Sequence, residues 1–100
     1  MVYEWHYQMI KSFKHKGLKQ FFESGSIARI DANHQNKLRM ILTDLDAAVT
    51  VEDMNAPAYS LHKLKGDRNN IHSVKVNGNW RVTFEFVDSN AYILDYEDYH

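Results

Sequence analysis

The densest chemistry in this chain of 100 residues is the run Leu61-His62-Lys63-Leu64-Lys65-Gly66-Asp67-Arg68. Side chains alternate along a strand, so His62 and Leu64 share one side while Leu61 and Lys63 take the other. Lys65 then leads into a Gly66-Asp67 turn. An imidazole and an ammonium at such a strand end can meet a polyanion, although a solvent-facing strand and an ordinary loop have the same composition. Arg81 is a second candidate. It sits mid-strand, opposite in phase to Trp80, Val82 and Phe84, and so cannot fill a core. Its guanidinium can clamp a phosphate through two parallel hydrogen bonds, or form a cross-strand ion pair with Glu85 or Asp95. The last six residues, Asp95-Tyr96-Glu97-Asp98-Tyr99-His100, bring phenols, carboxylates and an imidazole together where chains usually fray.

Other chemistries find less support. The six histidines (His6, His15, His34, His62, His72, His100) contain no i, i+4 pair on a helix and no carboxylates at ligand spacing. There is no cysteine, hence no disulfide and no thiolate ligand or nucleophile. Gly-rich phosphate loops and nucleophile elbows are also missing from the sequence. Neither a metal nor a cofactor is expected, and catalysis should be metal-free acid–base chemistry.

These side chains need a scaffold. Met9-Ile10-Lys11-Ser12-Phe13 alternates as a half-buried strand does. Leu18, Phe21 and Phe22 recur at helical spacing, and Ser24-Gly25 should end that helix. In the second helix Asp31 is the expected N-cap, and Leu38, Ile41, Leu42 and Leu45 form an i, i+3, i+4, i+7 stripe. Residues 49–58 read as a connection with one helical turn. Strands are expected at 59–64, at 72–86 folded about Asn77-Gly78 in a type I′ turn, and at 91–96 after an Asp88-Ser89-Asn90 turn. Trp80, Val82, Phe84 and Phe86 should face inward, with Arg81, Thr83 and Glu85 on the other side. The sum is an α+β domain with two N-terminal helices on one face of a small antiparallel sheet.

Composition agrees with a single globular domain: 44% of residues are hydrophobic and 25% charged. No apolar run approaches a membrane span, and the opening residues lack a basic start and apolar stretch, so a cytoplasmic protein is expected. The net charge of −1 hides a segregation. All twelve Lys and Arg lie at or before Arg81, where eight acids oppose them; five acids and no base follow. A basic body of this kind can meet a phosphate backbone.

Four strings carry a family resemblance. Met9-Ile10-Lys11-Ser12-Phe13-Lys14-His15-Lys16-Gly17-Leu18-Lys19 resembles the opening of HigB-type toxins, and Leu61-His62-Lys63-Leu64-Lys65-Gly66-Asp67 resembles their central motif. Asn79-Trp80-Arg81-Val82-Thr83-Phe84 is similar to their next strand, and Asp95-Tyr96-Glu97-Asp98-Tyr99-His100 to their end. Ordered over residues 9–100, the four are far more specific than any one. In that family the strand after the Lys-Gly-Asp turn usually begins with an aromatic pair, where this chain has Ile71-His72. Family chains also usually begin near Met9, so residues 1–8 read as an extension with no assigned role before a single domain at 9–100.

The resemblance implies a RelE-like fold and a ribosome-dependent endonuclease that cuts messenger RNA and is silenced by a HigA-type antitoxin. It implies functional positions at His62, Lys65, Arg81, Asp98, Tyr99 and His100. Metal-free cleavage needs a base for the 2′-OH, a cation for the phosphorane and an acid for the leaving 5′-oxygen. Arg81 and Lys65 would hold the phosphate, and His62 and His100 would share proton transfer. Asp98 would orient a histidine, and Tyr99 would stack on or position a base. Lys11, Lys14, Lys16 and Lys19, in a segment without acids, and Arg68 are the expected RNA contacts. Two other functions fit the scaffold: a ParE-like toxin that binds DNA gyrase, for which no acid–base set is needed, and a weakly toxic relative that acts with its antitoxin at a promoter.

Overall fold

The computed structural model describes residues 9–99; the expected extension at 1–8 and His100 lie outside the described residues. Helix α1 (Lys16–Ser24) starts where the His15 Nδ1 accepts a hydrogen bond from the Leu18 amide at 3.0 Å. It ends at Gly25, whose φ of 79° lets its N–H close on the Phe21 carbonyl, as Ser24-Gly25 suggests. Asp31 caps as expected, though through a 3₁₀ turn (Ala32–His34) that runs into helix α2 (Gln35–Ala47). Further 3₁₀ turns at Val51–Met54 and Pro57–Tyr59 fill the connection.

Four antiparallel strands follow in spatial order: β1 (His62–Lys63), β2 (Ile71–Asn77), β3 (Trp80–Val87) and β4 (Asn90–Asp98). The strand expected at 59–64 contracts to two residues. Tyr59 belongs to a 3₁₀ turn with its hydroxyl on Asp44 at 2.6 Å, and Ser60 turns the chain at a positive φ of 46°. The Asn77-Gly78 hairpin exists, but not with type I′ geometry: only Gly78 has positive φ, and the register slips between Lys75 and Asn77. Both central residues are left-handed instead at Asp88 and Ser89, between Val87 and its partner Asn90.

The expected first strand is reduced to two parallel bridges on β4, Ile10 to Ala91 and Phe13 to Leu94. Its amides are satisfied partly elsewhere, since Asp46 accepts from Met9 and Ile10 at 2.8 and 3.2 Å. Between the bridges β4 bulges at Ile93, a β-branched residue at φ 50° whose amide donates to Ser12 Oγ at 2.7 Å. That extra residue lets both Ala91 and Leu94 point inward although they are three apart.

Leu18 and Phe21 of α1 and Leu38, Ile41, Leu42 and Leu45 of α2 share one core with Val74, Val82, Phe84, Leu94 and Tyr96. Each such side chain contributes roughly 1.5–3 kcal/mol on burial. Trp80 and Phe86 lie at its margin, so the inward set on β3 is as expected. The helices therefore occupy one face of the sheet, and the other face carries mainly polar side chains, with Ile71 and Ile93 among them. Among the described residues no helix is long and apolar enough to cross a membrane.

Candidate active site

Directly opposed residues of antiparallel strands share a face, so the register assembles the polar face in rows. His62, Ser73, Thr83 and Asp95 form one row across all four strands; Lys75, Arg81 and Glu97 form the next. Lys63 pairs with His72 and so lies on the reverse face.

Arg81 is half-buried, and its Nη1 donates to Ser73 Oγ at 3.3 Å. Neither acid suggested as its cross-strand partner holds it. Glu85 accepts from the Asn70 amide, and Asp95 lies 3.9 Å from the Lys14 ammonium. Glu97, the residue opposite Arg81, is taken by Arg68, whose Nη1 and Nη2 donate to its two oxygens at 3.3 and 2.8 Å. The Thr83 hydroxyl adds a third bond to Glu97 at 2.7 Å. Burial pushes the Glu97 carboxyl up, but the bonds from Arg68 and Thr83 outweigh it, with help from the Arg68 and Lys14 charges, and hold it below its ordinary value. Arg68, read from the sequence as an RNA contact, is thus first a partner of Glu97, and about half of its side chain stays exposed.

Tyr99 follows the end of β4, its amide donating to the Asn79 carbonyl at 2.8 Å. Its hydroxyl is buried with no acceptor for its proton, and the Arg68 guanidinium lies against its oxygen. Burial and then Glu97 raise its pKa, against the Arg68 and Arg81 charges and the Arg68 hydrogen bond, so it stays protonated at neutral pH. A hydroxyl whose proton has no acceptor, beside two guanidinium groups, has one bond left to offer a substrate oxygen. His62 is exposed, with Nδ1 3.3 Å from the Ser60 carbonyl. In the tautomer with Nδ1–H donating to that carbonyl, Nε2 carries the lone pair a general base needs.

The remaining sequence candidates are more dispersed. Lys65 is exposed just before the 3₁₀ turn Gly66–Arg68. Asp98 pairs with Trp80, which sets it on the helix side of the sheet and not on the face of Arg81. His100 lies outside the described residues. Lys11, Lys14, Lys16 and Lys19 are all exposed near the start of α1. At the atypical Ile71-His72 pair, Ile71 is buried and the His72 ring stacks on Phe84 at 5.7 Å.

Ser73, Thr83 and Glu97 were not singled out from the sequence. Counting back from the Asp88-Ser89 turn would set Tyr96 opposite Arg81; the bulge moves Glu97 there. The readable signal is the alternation Leu94-Asp95-Tyr96-Glu97, which sends the two acids outward once Leu94 and Tyr96 are placed inside.

The family model described as "RelE-like toxin of type II toxin-antitoxin system HigB" matches residues 11–100. Endoribonuclease HigB of Proteus vulgaris is 48% identical over 92 residues, which cover 92% of this chain and all of the relative. Toxin HigB-1 of Vibrio cholerae is 34% identical over 85 residues, covering 83% of this chain and 90% of the relative.

Proposed function

Because the chain belongs to the HigB-like, RelE-like toxins of type II toxin–antitoxin systems, we propose that its polar sheet face cleaves messenger RNA on the ribosome without a metal. The protein is the endoribonuclease toxin of its pair and has an antitoxin as partner. Finer points are part of the proposal: the antitoxin is of the HigA type, and the toxin acts in the cytoplasm, where messages are translated.

The observation that carries this reading is the convergence of Arg81, the Tyr99 hydroxyl with its uncommitted proton and the Arg68–Glu97 pair on the face that also holds His62. In the proposed reaction a base removes the 2′-OH proton. The 2′-oxygen attacks phosphorus, the bond from phosphorus to the 5′-oxygen breaks, and an acid protonates that oxygen. The products are a 2′,3′-cyclic phosphate and a free 5′-hydroxyl. Arg81 stabilises the charge that builds on the phosphoryl oxygens, Lys65 adds a second cation from the neighbouring loop, and Tyr99 positions the substrate by donating its hydroxyl. His62 and His100 share proton transfer, since an imidazole has one nitrogen that can accept a proton and one that can give it. Asp98, at the end of β4 and off the Arg81 face, is left to orient the terminal His100 and not His62.

Mapping RNA ends after brief expression without a partner tests this. New ends at a fixed offset within codons, missing with Arg81→Ala, are expected. Normal growth with unchanged ends, despite soluble protein, would overturn the nuclease reading.

A further inference from the structure

We propose that the polar face carries a second nucleotide subsite, in which Asp95 reads an amino-bearing base between Ile71 and Ile93 while a basic cavity beside it takes that nucleotide's phosphate. This rests on the RNA-cleaving reading and adds a base preference to it.

A cavity of about 110 Å³ opens on this face between Ile71, Ile93, Asp95 and Lys14, floored by Thr83 and the Arg68–Glu97 pair. Its charges balance, Lys14 against Asp95 and Arg68 against Glu97. A balanced lining with two apolar walls suits a neutral planar group better than a phosphate. Its hydrogen-bonding capacity is selective. Glu97 already accepts two bonds from Arg68 and one from Thr83, whose hydroxyl proton is thereby used. Asp95 Oδ1 accepts from the Tyr96 amide at 3.0 Å, whereas Oδ2 has the Lys14 ammonium at 3.9 Å, beyond hydrogen-bond reach. With the Lys14 ammonium, which also lines the adjoining basic cavity, given to the phosphate there, what this cavity offers a base is an acceptor for N–H groups. Adenine, cytosine and guanine each present an exocyclic amino group. Uracil presents one N–H flanked by two carbonyl oxygens, which a carboxylate repels.

Two further features agree. Ile93, 43% exposed, forms one wall, although a β-branched residue at φ 50° is conformationally unfavourable. Adjoining this cavity, and sharing Lys14 and Asp95 with it, is a wider one of about 460 Å³ that adds Lys16 and Arg29. Three cations against one acid make that cavity a phosphate site. Gly17 allows Arg29 to lie there: a Cβ on it would come within 2.4 Å of the Arg29 Cβ. Along β3, Thr83 stands two residues from Arg81, about 7 Å, so the pocket is one step along a bound strand from the proposed cleavage point.

The test is titration of isoleucine-methyl-labelled protein with 2′-O-methyl trinucleotides of A, C, G or U, which lack the attacking hydroxyl. The Ile71 and Ile93 methyl signals should shift with A, C and G at concentrations about tenfold lower than with U. Asp95→Asn, which donates as well as accepts, should bring U level with the others, and Asp95→Ala should reduce A, C and G to the level of U. Arg29→Glu should weaken all four alike. Amide spectra of the variants establish that each is folded. Shifts confined to other methyls, no saturable shift at all, or a preference unchanged by both Asp95 variants would overturn the subsite. Cleavage of message by the wild-type toxin, measured separately, judges the nuclease reading, so either can fail without the other.

Discussion

At the scale of single residues, two ionisable groups make the account measurable through pH. Glu97 is held below its ordinary value by Arg68 and Thr83 once the opposing effect of burial is overcome. Its contribution is therefore fully present above the unfolded carboxyl value and is lost as pH falls through the lower folded value. Glu97→Gln should lower the melting temperature near neutrality and flatten its decline on acidification; an unchanged acid profile would mean that the Arg68 pair does not matter to folding. His72 is pushed down by burial and then by Lys63. The unfolded chain binds that proton more readily, so stability should fall as pH drops below about 6.5. His72→Phe keeps a ring on Phe84 and has no proton to gain. Its melting temperature should hold between pH 7 and 5.5 where the wild type declines, and parallel profiles would contradict the assignment.

At the scale of elements, most of the scaffold is legible in the sequence because periodicity reports one-sided burial. The Leu38, Ile41, Leu42, Leu45 stripe of α2 and the Trp80, Val82, Phe84 alternation of β3 fall as expected. What escapes is set by individual backbone events. Ser60 and Pro57–Tyr59 shorten β1, and the bulge at Ile93 decides that Glu97, and not Tyr96, stands opposite Arg81. Of the site, His62, Arg81 and Tyr99 were readable, whereas the Arg68–Glu97–Thr83 network depends on that one-residue shift. Close approach is equally invisible in one dimension. Gly17 lies within a helix, where alanine is normally better by roughly 1 kcal/mol. Here a methyl would meet both the Cβ and the carbonyl of Arg29. Gly17→Ala should therefore destabilise by about 1–3 kcal/mol in urea unfolding, and a stabilised variant would show that this contact yields easily.

At the scale of the whole molecule, charge segregation becomes architecture. The acidic last strand is tied to the basic body through Arg68–Glu97 and the longer Lys14–Asp95 contact, while the helix-start lysines stay in solvent. Reversing Lys14 and Lys16 to Glu should weaken ribosome association and reduce the slope of log affinity against log salt by roughly one to two. The cleavage position on any bound message should stay the same. Unaltered affinity on sedimentation would remove these lysines from the binding surface. The central claim is that the Arg81 face is where RNA is cut, and single-turnover cleavage of ribosome-bound message tests it most directly. Losing a preorganised transition-state contact typically costs about a hundredfold in rate. Arg81→Ala should lose that much while remaining folded and bound to ribosomes, and deletion of His100 should behave similarly if its imidazole transfers a proton. Lys63→Ala, on the reverse face, should cut at the wild-type rate. Full activity after losing both Arg81 and His100 would contradict the account.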